Sequence, residues 1–200
     1  MQAPRLKASD LACRRGDRLL FAGLDIDLAP GNALHLAGPN GIGKTSLLRL
    51  LAGLARPYAG TVEREGEVGW IDEHAALDPD LPLGQALRFW ERLDGSAAPE
   101  RNVRAMGVDH LLDVPVRFLS TGQRKRAAFV RLLNRHCRIW LLDEPLNGLD
   151  AHAAVTVEGL IATHCVGGGI CVIASHQPLA IDGIGRLELD AHSPSPEEGA

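Results

Sequence analysis

The sequence predicts an α/β fold in which a parallel core sheet is joined by an antiparallel β flank and a small helical lobe. Residues 139–142 and 169–174 are continuous apolar runs, which are typical of strands buried on both faces of a parallel sheet. Residues 6–13 and 24–28 alternate apolar and polar positions, as half-buried strands do. Residues 75–117 are rich in helix formers and contain four prolines, which indicates the separate lobe.

Local patterns predict the other elements in chain order. A short, mostly apolar strand leads directly into a glycine-rich loop, and the segment after that loop has helical spacing. Gly53 and Pro57, near the end of this helix, are typical helix-stop signals. The expected elements are strands at residues 33–37 and 67–71, a helix at 46–52 and a helix that continues through 129–133.

Composition narrows the class of protein. Hydrophobic residues make up 46% and charged residues 23%, which is ordinary for a globular domain, and the net charge of -4 argues against a nucleic-acid partner. No apolar stretch approaches the roughly 20 residues that span a bilayer, so a role at a membrane would need another chain. The four cysteines form no Cys-x-x-Cys pair, which indicates a reduced cytosolic compartment. One domain at residues 1–192 and a disordered tail at 193–200 account for the length.

The loop after the strand at 33–37 has the phosphate-binding pattern G-x-x-x-x-G-K-T. Its glycines let backbone N–H groups surround phosphates, and the helix that starts near Lys44 adds its positive N-terminal end. Lys44 is expected to reach the β- and γ-phosphates of ATP, and Thr45 to bind the accompanying Mg²⁺. This loop alone does not distinguish among kinases, GTPases, helicases and transporter ATPases. The candidate nucleotide ligands are Gly38, Pro39, Asn40, Gly41, Ile42, Gly43, Lys44, Thr45 and Ser46.

Two acidic residues, Asp143 and Glu144, follow the apolar run at 139–142. A carboxylate at the carboxyl end of a buried parallel strand lies at the rim of the sheet, where ligands bind. We expect Asp143 to hold Mg²⁺ through water, and Glu144 to orient and activate the attacking water as the general base. The other interpretation is a pair of solvated acids at a strand end.

Leu119-Ser120-Thr121-Gly122-Gln123, placed shortly before that strand, resembles the signature of the ATP-binding cassette (ABC) family. The resemblance covers residues 5–190 and implies a P-loop NTPase cassette that hydrolyses ATP as a homodimer. It implies that Ser120, Thr121, Gly122 and Gln123 contact the γ-phosphate held by the other subunit. It also implies that His176 contacts the γ-phosphate as a catalytic switch residue, and that residues 148–150 form a dimer contact.

Three positions depart from the family pattern. Thr121 replaces a commoner glycine, and Arg15 stands where an aromatic residue usually stacks on adenine, a role that a guanidinium can also fill. His74 stands where the family carries a Gln that touches Mg²⁺ and the membrane partner, so it is a tentative metal ligand. Residues 124–126 form a basic run, which we interpret first as a solvated helix face, second as a contact to the nucleotide of the partner subunit, and only third as a contact to nucleic acid.

Three sequence segments make the resemblance more specific. Residues 38–54, 87–89 and 175–179 resemble the ATP-binding subunit of cytochrome c biogenesis haem exporters. This implies a peripheral ATPase on the cytoplasmic face of the inner membrane, bound to integral membrane permease subunits. No Cys-x-x-Cys-His motif is present, so direct haem binding is not expected. Two alternatives stay open: an ABC ATPase for another exported substrate, and a degenerate nucleotide-binding subunit that regulates a complex.

Overall fold

The computed structural model describes residues 3–95 and 99–192, so the tail predicted at 193–200 lies outside the described residues. Within these ranges no helix is long and apolar enough to cross a membrane. The strands are β1 (Arg5–Arg15), β2 (Arg18–Leu28), β3 (Ala33–Ala37), β4 (Ala59–Glu65), β5 (Val68–Ile71), β6 (Ile139–Asp143), β7 (Ile170–Ala174) and β8 (Gly185–Glu188). The helices are α1 (Lys44–Ala52), α2 (Leu83–Asp94), α3 (Pro99–Ala105), α4 (Thr121–Asn134) and α5 (Ala151–Val166), with short 3-10 turns between and after them.

A five-stranded sheet in the order β5-β6-β7-β3-β8 forms the core, and each described pairing within it is parallel. Every residue of β6 and β7 is buried, as the continuous apolar runs predicted. Helices on both faces exclude water from these strands, which is why their sequences show no alternation. The prediction of a parallel core sheet is confirmed.

A three-stranded antiparallel sheet, β2-β1-β4, covers one side of this core. Its buried face packs on α1, whose apolar residues Leu47, Leu48, Leu50 and Leu51 lie in the same cluster. Helix α1 ends at Gly53, whose φ of +75° allows its N–H to return to the Leu50 carbonyl. The predicted antiparallel flank is therefore confirmed.

The helical lobe consists of α2, α3 and two 3-10 turns, and it packs on α4 around Leu83, Leu87, Val103 and Phe129. Prolines mark its element boundaries: Pro82 is the N-cap of α2, and Pro99 is the first residue of α3. Proline suits these positions because the first turn of a helix leaves its N–H groups without intrahelical partners. The helices and 3-10 turns of this region lie between Leu83 and Phe118, and the lobe bounds of 75–117 stay a prediction.

Three elements had no sequence prediction. Strands β4 and β8 are mostly exposed, so their side chains carry no alternating apolar pattern. Helix α5 begins at its N-cap Asp150, whose Oδ1 accepts a hydrogen bond of 2.8 Å from the Ala153 N–H. Strand β4 is held by pairing with β1 rather than by burial of its own side chains.

Candidate nucleotide-binding site

The order of the core strands brings the predicted site residues together. Strands β6, β7 and β3 are neighbours and run parallel, so their carboxyl ends meet at one edge of the sheet. The glycine-rich loop follows β3, Asp143 ends β6, and His176 lies just beyond β7. Residues separated by about 100 positions in the chain therefore share one edge because of strand order alone.

The glycine-rich loop wraps the N-terminus of α1. The Lys44 side chain is only 7% exposed, and its Nζ donates hydrogen bonds to the carbonyls of Gly38 at 2.6 Å and Pro39 at 3.2 Å. No side chain caps the first turn of α1, and no acidic residue lies in it. Its N–H groups and the positive end of its dipole therefore suit a phosphate. Gly43, at φ +119°, forms the N-cap in a conformation that favours glycine.

Thr45 and Asp143 join the loop to the core sheet. The Thr45 Oγ1 donates a 2.6 Å hydrogen bond to Asp143 Oδ2, and Asp143 is only 8% exposed. Burial raises the pKa of Asp143, whereas the Thr45 hydroxyl lowers it, and the neighbouring Glu144 carboxylate raises it further. The ionised Asp143 carboxylate is thus held at the sheet edge although its burial is electrostatically unfavourable.

These two side chains fit a hard divalent cation. Mg²⁺ prefers oxygen ligands and is commonly held by one or two carboxylates, with phosphates and water completing its shell. The hydroxyl and carboxylate oxygens of Thr45 and Asp143 are of this type and lie side by side. Within residues 3–95 and 99–192, no group of three or more His, Cys, Asp or Glu side chains is arranged to hold a metal ion. The donor set therefore suits a cation that arrives with a phosphate ligand.

Glu144 and His176 form the next contact along the edge. The His176 Nδ1 lies 2.9 Å from Glu144 Oε2. An ionised carboxylate only accepts, so Nδ1 carries the proton in this contact. Glu144 adopts φ +46°, an uncommon conformation for a side chain larger than glycine, and its N–H bonds to the Ala174 carbonyl at 2.8 Å. The backbone strain is retained where the side chain is turned into the pocket.

One pocket of 520 Å³ contains these groups and is lined by side chains of both charges. Arg15 and Arg18, which pair across the turn of the β1–β2 hairpin, line it together with Arg49 of α1. The acids that line it are Asp72, Glu73, Asp143 and Glu144. A pocket with both charges suits a nucleotide bound with a divalent cation, because the nucleotide is anionic and the metal is attracted to carboxylates.

The structure places the tentative residues in the same pocket. Arg15 and His74 both line it, and the His74 N–H bonds to Asp72 Oδ1 at 2.7 Å. Sequence reasoning missed Arg18, Arg49 and the acids Asp72 and Glu73. Arg18 directly follows the two-residue hairpin turn after Arg15, so recognition of that hairpin could have identified it. No local sequence pattern indicated that Arg49, Asp72 or Glu73 would line the pocket.

The signature segment caps helix α4 through a reciprocal pair of hydrogen bonds. Ser120 Oγ accepts from the Gln123 N–H at 3.2 Å, and Gln123 Oε1 accepts from the Ser120 N–H at 2.8 Å. The Ser120 hydroxyl hydrogen stays available to donate to a ligand. Thr121 lines a neighbouring cleft rather than the nucleotide pocket of its own chain.

The interpretation of residues 124–126 as a solvated helix face is wrong for Lys125. Lys125 is only 6% exposed, and its Nζ donates to the Asp72 carbonyl at 3.1 Å. Arg126 donates instead to the carbonyls of Met106 and Gly107 at the helical lobe. The three consecutive positions face different directions because each residue of a helix is rotated by about 100° from the one before it.

The loop after Glu144 touches the signature within the same chain. A Cβ built on Gly122 would lie 2.3 Å from the Gly148 carbonyl oxygen, which real Cβ atoms do not approach. Gly148 itself adopts φ +78°. Glycine at both positions is what allows the two backbones to pass so closely.

Comparison with known proteins agrees with this geometry. The family described as ABC transporter matches residues 21–147. The cytochrome c biogenesis ATP-binding export protein CcmA of Novosphingobium aromaticivorans is 55% identical over 194 residues, covering 97% of this chain and 100% of that protein. The protein of the same name from Rhodospirillum rubrum is 41% identical over 214 residues, covering 100% of this chain and 92% of that protein.

Solved structures share the fold. One described as an ABC transporter ATP-binding protein from Pyrococcus furiosus superposes with a TM-score of 0.82 at 22% identity, covering 95% of this chain and 100% of that one. An inward-facing conformation of a metal-chelate type ABC transporter superposes with a TM-score of 0.78 at 24% identity, covering 93% of this chain and 80% of that one. At these identities the similarity concerns the fold alone.

Proposed function

The chain belongs to the ABC transporter family, and from this premise we propose that it is the ATP-hydrolysing subunit of a membrane exporter that serves cytochrome c biogenesis. One observation carries the ATPase assignment. Lys44, the Thr45–Asp143 pair and the Glu144–His176 pair converge on one edge of the parallel sheet, with contacts of 2.6 and 2.9 Å within the pairs. This combination supplies phosphate binding, metal binding and water activation in one pocket.

Each residue has a defined task in the proposed reaction. The Lys44 ammonium, now bonded to two loop carbonyls, donates to the β- and γ-phosphates when ATP enters. Thr45 would ligate Mg²⁺ and Asp143 would hold it through water, and the bound cation would add countercharge to the phosphate oxygens. Glu144 orients the attacking water and accepts its proton.

His176 holds the Glu144 carboxylate through Nδ1, which leaves Nε2 for the γ-phosphate. A hydrogen on this second nitrogen would donate to a γ-phosphate oxygen, which only accepts. His74, which lines the same pocket, would join the metal ligands in place of the family's Gln.

The complete site needs two copies of the chain. Thr121, at the first turn of α4, does not line the nucleotide pocket of its own chain, so the signature serves the pocket of a second copy. In the proposed homodimer, Ser120, the backbone around Gly122 and the capped N-terminus of α4 face the γ-phosphate of the partner. Residues 1–192 act as one cassette in this arrangement.

The cytochrome c assignment rests on similarity along the whole chain to proteins that carry that name. The proposal places the cassette peripherally, on the cytoplasmic face of the membrane, beneath permease subunits supplied by other chains. Within the described residues there is no spanning helix, so this chain relies on those subunits for a path through the bilayer. Haem contact is assigned to them rather than to the cassette.

The test uses the Glu144→Gln variant together with its membrane partners. The amide keeps the shape of the side chain but does not accept the proton, so MgATP should still bind while hydrolysis falls by about 10² to 10⁴. Closed dimers should then accumulate with ATP and be measurable by size-exclusion chromatography with light scattering. If the wild-type protein hydrolyses ATP no faster than the variant, a regulatory subunit would be favoured. If the variant stays monomeric at saturating MgATP, the proposed dimer would be refuted.

A further inference from the structure

Lys125 is a buried cation that the reaction described above does not use. It lies on α4, within the first two turns after the Ser120 cap, and its side chain points back into its own subunit. Its ammonium donates to the carbonyl of Asp72, the residue that directly follows β5, at 3.1 Å. A lysine that is only 6% exposed needs compensation, because burial of an unpaired ammonium is strongly unfavourable.

The compensation comes from carboxylates that line the nucleotide pocket. Lys125 lines a 210 Å³ cleft with Asp72, Glu73 and Glu144, and these three acids also line the nucleotide pocket. Burial lowers the pKa of Lys125, while Asp143, Asp72, Glu73 and Glu144 each raise it. The same four acids line the nucleotide pocket in which the metal is expected, so the buried ammonium and the metal would interact with the same carboxylates.

We propose that Lys125 is an internal counter-cation of the metal site, which weakens divalent-cation binding in the absence of nucleotide and so makes the metal enter together with ATP. Lys125 is a positioning residue in this scheme, because it acts through the carboxylates and touches neither substrate nor metal. The inference rests on the proposed ATPase function and adds a control on how its site is loaded.

The physical reason is competition between positive charges for one acidic cluster. Without nucleotide, a divalent cation near Asp143 and Glu144 is repelled by the ammonium in a partly desolvated region, where charges are weakly screened. The triphosphate of ATP brings several negative charges, which outweigh the single lysine. Removal of the Lys125 charge should therefore tighten metal binding to the empty site, an effect opposite to that of general structural damage.

The experiment measures Mn²⁺ binding to the purified full-length chain without nucleotide, at about pH 8, from the free Mn²⁺ signal in electron paramagnetic resonance. Lys125→Met removes the charge but keeps a side chain of similar volume. It should lower the Mn²⁺ dissociation constant about tenfold or more. Lys125→Arg keeps the charge and should stay within about threefold of wild type. Arg126→Met is the matched control, because it removes one charge from the adjacent position of α4, which faces the lobe.

Unchanged or weaker Mn²⁺ binding in Lys125→Met would overturn the inference, and so would equal tightening in Arg126→Met. If Lys125→Met does not fold, as judged by its thermal transition, Lys125→Gln carries the same comparison because its amide can still donate towards the Asp72 carbonyl. Calorimetry of MgATP binding to the wild-type chain separates the two proposals. Lack of ATP binding there would refute the ATPase assignment, whereas normal ATP binding with unchanged Mn²⁺ affinity in the variant refutes the role of Lys125 alone.

Discussion

Thr45→Val tests whether the hydrogen bond from the loop to β6 stabilises the folded protein. Valine has nearly the shape of threonine but lacks the hydroxyl that donates to Asp143 Oδ2 at 2.6 Å. Loss of a hydrogen bond to a buried charged group costs about 1.5 to 3 kcal/mol. For a domain of this size, about 2 kcal/mol corresponds to a decrease of roughly 4 to 8 °C in Tm.

The pH dependence of this loss has a definite sign. Burial already raises the pKa of Asp143 above its ordinary range, and the Thr45 hydroxyl opposes that rise. Without the hydroxyl the pKa of the folded state rises further. A raised folded-state pKa makes stability fall as pH increases from the ordinary carboxyl range towards the folded value, and the loss is complete above it. The penalty of Thr45→Val should therefore be larger at about pH 8 than at about pH 4.5.

The assay is urea unfolding without nucleotide, followed by tryptophan fluorescence. Trp140 is a suitable reporter because it is buried in β6, the strand that ends at Asp143. Thr45→Ser, which keeps the hydroxyl, is the control and should lose far less stability. The reasoning about Asp143 is wrong if Thr45→Val unfolds at the same urea concentration as Thr45→Ser at about pH 8. It is also wrong if Thr45→Val loses as much stability at about pH 4.5 as it loses at about pH 8.

Three further experiments test other parts of the site. Lys44→Ala should abolish tight MgATP binding with the fold intact, and unchanged affinity by calorimetry would contradict its assignment. The wild-type chain should bind ATP and GTP with affinities within about tenfold of each other, or roughly 1.4 kcal/mol. Arg15→Ala should weaken the binding of both nucleotides, and Arg15→Tyr should restore ATP binding. Gly122→Ala should lower ATPase activity because its Cβ would meet the Gly148 carbonyl at 2.3 Å. Gly159→Ala, where nothing lies within 4 Å, is its control, and equal turnover in both variants would show that the contact is dispensable.

The phosphate loop could be predicted from sequence because its requirements are local. Glycines at Gly38, Gly41 and Gly43 are needed wherever the backbone must turn around phosphates, and all three have positive φ. Lys44 and Thr45 follow at fixed spacing in the first turn of a helix. The buried strands were equally predictable, because burial on both faces leaves a continuous apolar run.

Charge placement across elements was not predictable in this way. Lys125 belongs to a run of three basic residues, and only the packing of α4 against the end of β5 buries its side chain. Likewise, Arg49 of α1 lines the nucleotide pocket together with Arg15 of β1 and Arg18 of β2, which lie far from it in the chain. Sequence spacing within one helix carries no information about which neighbouring strand receives each side chain.

The sequence by itself predicted the chemical parts of the site. The phosphate loop and the two acids at the end of β6 follow from backbone and phosphate chemistry, which act over a few residues. The histidine after β7 follows from the resemblance to the ABC family. The tertiary structure alone decided which parts meet, because the order β6-β7-β3 sets the distances among segments far apart in the chain. It also decided that one lysine of the signature helix faces inward, since side-chain burial depends on the neighbours that packing provides.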